Sequence, residues 1–351
     1  MNTNNVDTIR TEKKLSVWVL CVAAIVLVMY IAAFPLMPMA DLLGVAALLV
    51  FTSVYSLIFA RKSYLALCAP IAAAVGTVLG IAIVDGFTLS VCLRFANVLF
   101  AVVTAYCIHR CTKAKASRSK TFAVISGAGA VYVLTTLLFV VYDIYGSISF
   151  ETVRTAVDSA ADYFGKTYRV MLEYALEDKG GDSVEVRRMV KALAENMALS
   201  VKASIPSSIV IYGMAFSALS AAVYGKTVRV AGMMKECFDG RNWRFSMSKV
   251  SCVMFELIYL AYIVVMLFSD SLVLNSALMN IISVLTVPFA YIGIRHFYGI
   301  LRRKVPGKVM SAVIIAAIIF LLMMLTGGTL IFTFIAFVGS SVEFKRNYTL
   351  R

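Results

Sequence analysis

About ten apolar stretches divide this chain, and its Lys and Arg residues gather in every second gap between them. Most stretches reach the roughly 17–25 residues that carry a helix across a bilayer. In hydrocarbon a chain must satisfy its backbone N–H and C=O groups internally, and an isolated run of this length does so only as a helix. The pattern predicts an all-α, polytopic helical membrane protein. Composition agrees: 61% of residues are hydrophobic, 15% are charged, and the mean hydropathy is +0.88. A soluble domain is about half apolar and a quarter charged.

The predicted spans are 15–34, 42–60, 64–84, 87–108, 121–142, 206–225, 250–268, 272–294, 309–326 and 329–342. With the N-terminus inside, the inner gaps hold 24 of the 33 basic residues against five acidic ones, a surplus of +19. Outer gaps are short and acidic at Asp41, Asp85 and Asp270, apart from 143–205 with its eight basic and ten acidic residues. Basic residues mark the cytoplasmic side, so the chain is expected in the cell membrane with both termini cytoplasmic. In a soluble protein the net charge of +14 would suggest nucleic acid. Here no nucleic-acid motif accompanies it, and it reads as orientation and attraction to the anionic inner leaflet.

Three consecutive segments follow: N-terminal membrane helices over 1–142, an extracytoplasmic amphipathic helical hairpin over 143–205, and C-terminal membrane helices over 206–351. In the hairpin, Val153, Val157, Ala160, Phe164, Tyr168, Met171 and Ala175 recur in steps of three and four. Lys179-Gly180-Gly181 breaks that helix, and Asp182 with Glu185 resembles a capping box opening a second. Pro206 suits the first turn of the span that follows. The final pair of apolar segments, separated by Gly327-Gly328, crosses fully or forms a re-entrant hairpin.

Only Arg94 and Glu256 are charged within the spans. Such groups usually face a protein interior or an aqueous cavity. Asn97 shares a helix face with Arg94, and Tyr259 with Glu256, which makes these four the candidate intramembrane polar site. Counted along their helices, the two ions differ in depth by roughly 10 Å. Whether they meet stays open, and each also fits a bond to a neighbouring helix. Ala72, Gly76 and Gly80 recur every fourth residue, as do Gly213, Ser217, Ala221 and Gly225. Small residues at that spacing let helices pack closely.

Chemistry-bearing motifs fail on inspection. Ala160–Thr167 lacks the first Gly of a phosphate loop and lies on a predicted helix. On a helix His109 points away from Cys107 and Cys111. No hydrolase motif is present, and no cysteine falls in the outer segment to form a disulfide framework there. The expectation is a non-enzyme with no catalytic residue, no metal and no cofactor.

Two patches are familiar. Lys235 to Tyr262 (KECFDGRNWRFSMSKVSCVMFELIYLAY) is a basic gap with a Trp leading into a polar-spotted span. The C-terminus (GKVMSAVIIAAIIFLLMM…FIAFVGSSVEFKR) is an apolar pair closing on a basic tail. With Pro206 after an outer helical pair, the chain resembles the YybS-like family of bacterial multi-pass membrane proteins, whose function is unknown. Trp243-Arg244-Phe245 is followed by Ser246 where that family has a proline. The family is distantly similar to the S components of energy-coupling-factor transporters, which implies binding or passage of a small solute. Prolines at 70 and 288 within spans fit that expectation. No ATP-binding motif is present, so energy would come from an ion gradient or a separate ATPase complex. The alternative is a membrane scaffold that holds other membrane proteins or envelope components.

Overall fold

The structure is a computed structural model that describes residues 68–84, 88–177, 184–230, 245–269, 271–305, 307–326 and 329–349. It also describes Ile25, Val28, Met29, Thr52 and Tyr55. Among the described residues the chain is all α-helix, without strands. The helices are α1 (Cys68–Val84), α2 (Leu89–Lys113), α3 (Arg118–Tyr145), α4 (Phe150–Glu177) and α5 (Val184–Val230). There follow α6 (Lys249–Phe268), α7 (Leu272–Lys304), α8 (Lys308–Thr326) and α9 (Thr329–Thr349). The expected spans 15–34 and 42–60 lie outside the described residues, save for the isolated positions above.

Among the described residues five helices are long and apolar enough to cross a membrane: Val91–Lys113, Arg118–Tyr145, Val184–Lys226, Lys249–Phe268 and Val273–Lys304. Ile71–Ile83 and Val309–Ile319 are apolar but shorter. The described residues thus fit a polytopic helical membrane protein, with five helices able to span rather than the expected ten. Hydroxyl side chains set several helix starts. Thr88, Ser117, Ser248 and Ser271 each accept a backbone N–H from the first turn of α2, α3, α6 and α7. Each satisfies a donor that has no partner inside the helix. Gly146, at φ +70°, ends α3 and donates its N–H to Tyr142 O at 2.8 Å.

Two compact units interleave along the chain: Met1–Ala156 with Tyr212–Trp243, and Val157–Ile211 with Arg244–Arg351. In the first, α2 packs on α1 and α3. Ala72 and Ala73 join Val98, Phe100, Ala101, Ala105 and Tyr55 in one buried cluster, and Gly76 and Gly80 are buried on the same helix. The C-terminal part of α5 crosses α3 where Gly213 meets Gly129. A Cβ on Gly213 would stand 2.5 Å from Gly129 C and 2.8 Å from Ala130 Cα. One turn on, Ser217 Oγ donates to Ile125 O at 2.7 Å. Ala221 then packs with Ile108, Ile125, Tyr224 and Val228.

In the second unit α9 lies against α6 and α7. A Cβ on Gly293 would stand 2.8 Å from Ile335 Cγ2, and one on Gly339 would stand 2.8 Å from Gly293 N. Phe255 and Phe289, both fully buried, lie with ring centroids 4.7 Å apart, tilted to one another, beside Phe337. The final apolar segment is therefore a helix of 21 residues closely packed on α7, longer than the 329–342 read from hydropathy.

The hairpin of α4 and the first part of α5 packs differently from its apolar stripe. Gly165 of α4 lies over Ala194 and Ala198 of α5, where a Cβ would meet Ala194 O and Ala198 Cβ at 3.1 Å. Ala161, Val190 and Ala194 are buried in this seam, while Phe164 and Met171 of the predicted stripe are 50% and 64% exposed. The small residues win the contact because they let the backbones approach most closely. Lys202 and Asp158 join the two helices by an ion pair. The break at Lys179-Gly180-Gly181 and the cap at Asp182 lie outside the described residues.

Pro206 does not open a helix. It lies inside α5, a single helix of 47 residues. Proline removes one ladder bond and crowds the preceding turn. A side chain from another helix mends the gap: Asn280 of α7 accepts from Ser207 N at 3.1 Å and donates to Ala203 O at 2.8 Å. In an unbroken helix those two backbone groups would bond each other.

Candidate polar sites in the helical units

The four candidate residues fall into two groups, one in each unit. Arg94 and Asn97 belong to α2, and Glu256 and Tyr259 to α6. Arg94 is only 4% exposed. Asn97, one turn along, accepts a hydrogen bond through Oδ1 from the Tyr132 hydroxyl of α3. The Tyr132 ring is held by Phe100, stacked at 4.6 Å, and by Phe216, edge-on at 5.6 Å. Three helices thus converge on Tyr132, and its hydroxyl is aimed at the face that carries Arg94. Thr104, Ser126 and Ser220 are also buried, and their hydroxyls find no hydrogen-bond partner among the described residues. This interior has more polar capacity than its own described groups use.

In the second unit Glu256 lies on the exposed side of α6. Its Oε1 accepts from Ser340 Oγ of α9 at 2.9 Å. Tyr259, one turn on, rests its ring edge-on against Phe337 at 4.8 Å. Ser340 and Phe337 are likewise one turn apart on α9, so the two pairs match step for step. Sequence reasoning placed Glu256 and Tyr259 on one face but had no means to find the partners across from them.

It also missed Glu343. On sequence this residue sits near a basic tail and reads as a solvated inner charge. In the structure it is fully buried. Its Oε1 accepts from Arg346 Nη2 at 2.6 Å and from Met247 N at 3.1 Å. Asn347 Nδ2 donates to Met247 O at 2.9 Å, so α9 grips both backbone groups of the residue that leads into α6. Arg295 of α7 also acts on the carboxylate electrostatically. Burial pushes the Glu343 carboxyl above its ordinary range, and Arg346, the Met247 N–H and Arg295 pull the other way. Cys252 of α6 lies close enough to feel both Glu343 and Glu256, and it shares Ser340 as a hydrogen-bond partner. The cluster thus holds two carboxyls, a hydroxyl and a thiol, bordered by two guanidinium groups. A sequence signal existed: Ser340, Glu343 and Asn347 are spaced three and four apart.

No group of three or more potential metal ligands occurs among the described residues. No family model, characterised protein or solved structure matches this chain.

Proposed function

We propose that this multi-pass helical protein binds or passes a small solute across the cell membrane, with both termini on the cytoplasmic side. The burial of Arg94 on a helix apolar enough to span carries the reading. A guanidinium held in a membrane interior is expensive by about 2.5–3.5 kcal/mol or more, and residues kept at that cost line substrate or ion pathways. Asn97, with its Tyr132 contact, extends the polar surface beside it. The inner-face surplus of +19 supports the orientation. The resemblance to the YybS-like family, and through it to S components, supports solute binding energised by a separate ATPase complex or an ion gradient. No catalytic role belongs to this reading.

The test is mass spectrometry of gently purified protein, followed by binding of any recovered metabolite to Arg94→Ala and Glu256→Gln variants. Altered binding by folded protein is expected; unchanged binding by both variants refutes the proposal. A second reading, a membrane scaffold, is favoured by the exposure of Phe164 and Met171 on the outer hairpin. Partner proteins that co-purify with wild type and are lost on substitution of those two side chains would decide for it.

A further inference from the structure

The two oxygens of Glu343 are treated very differently. Both described donors, Arg346 Nη2 and Met247 N–H, converge on Oε1. Oε2 is buried and has no hydrogen-bond partner among the described residues. An ionised carboxylate accepts on both oxygens, whereas a carboxylic acid has one carbonyl oxygen that accepts and one O–H. Donors on one oxygen and none on the other fit the acid. A bare anionic oxygen left buried is also far more expensive than a buried neutral O–H. The charges around the site do not overturn this. Arg346 is 37% exposed, so water screens its pull.

We propose that Glu343 is a proton-binding site, carrying a proton on Oε2 at neutral pH. Groups from every element packed on the site take part: Arg346 and Ser340 from α9, Cys252 and Glu256 from α6, Met247 N–H from the segment before it, and Arg295 from α7. When the proton leaves, the O–H bond breaks, its electron pair stays on the carboxylate, and the proton passes to water. The Ser340 hydroxyl donates to Glu256 Oε1 at 2.9 Å. The site is distinct from Arg94 and stands whether or not the solute reading does.

Infrared pH-difference spectroscopy on the full chain in lipid nanodiscs tests this directly. A deuterium-sensitive carboxylic-acid C=O band should persist at neutral pH, vanish in Glu343→Gln and remain in Glu256→Gln. Absence of the band in wild type, or its survival in Glu343→Gln, overturns the proposal. Arg346→Ala supplies a second measurement if Glu343→Gln does not fold. Removing that half-exposed cation should raise the midpoint of the band by about one pH unit. An unchanged midpoint also overturns it.

Discussion

Gly213→Ala tests the α3–α5 crossing, a close backbone contact in the first unit. The new methyl would stand 2.5 Å from Gly129 C and 2.8 Å from Ala130 Cα, with backbone on every side and no flexible side chain to yield. Reaching ordinary van der Waals separation requires the two helices to part by about 1 Å. That movement stretches the 2.7 Å bond from Ser217 to Ile125 O beyond hydrogen-bonding length. Overpacking of this kind costs about 1–3 kcal/mol, and the lost interhelical bond adds roughly 0.6 kcal/mol. Alanine returns up to about 1 kcal/mol of helix propensity. The net expectation is a loss of about 1–3 kcal/mol, read by reversible unfolding in mixed detergent micelles. Gly225→Ala is the internal control. It lies on the same helix and in the same four-residue repeat, yet nothing stands within 4 Å of its added Cβ. Equal losses in the two variants, or none in Gly213→Ala, would refute the argument from close approach.

Other perturbations follow from single contacts. Asn280→Ala frees Ala203 O and Ser207 N–H and should lower stability by about 1–3 kcal/mol; in a Pro206→Ala background, where the helix can close its own ladder, the loss should shrink in the same unfolding assay. Since burial keeps the Glu343 proton on in the folded chain after the unfolded chain has released it, the stabilising contribution is complete at pH values below the ordinary carboxylate range. It is lost as pH rises through the raised folded value, and Glu343→Gln should flatten that slope in melting experiments. In the α4–α5 hairpin, Gly165→Leu should splay α4 from α5 and speed hydrogen exchange across residues 157–177, because the seam there has no room for a side chain. Phe164→Ala, on the exposed face, should change stability by less than about 0.5 kcal/mol.

Much of the architecture was legible because its signals are local. Apolar run length, four-residue spacing and clustered basic residues each report on one segment at a time. They yielded the helices of the second half and the seams through Ala72 and Gly213. The misreadings share one cause, the choice among possible partners. Phe164 and Met171 looked like a packing stripe, but Ala161 and Gly165 allowed a closer approach and took the contact. Pro206 looked like a helix start until Asn280, 74 positions later in the chain, bridged the broken ladder.

By itself, then, the sequence determined an all-helical membrane protein, the positions of its main apolar helices and a pronounced charge asymmetry. These depend on transfer from water to hydrocarbon, which each residue contributes according to its own chemistry. Only the tertiary structure decided that Tyr132 meets Asn97, that Ser340 meets Glu256, and that a glutamate beside a basic tail is buried with one oxygen bare. Those outcomes depend on distances between helices remote in sequence, where a single methyl or amide determines how closely two backbones approach.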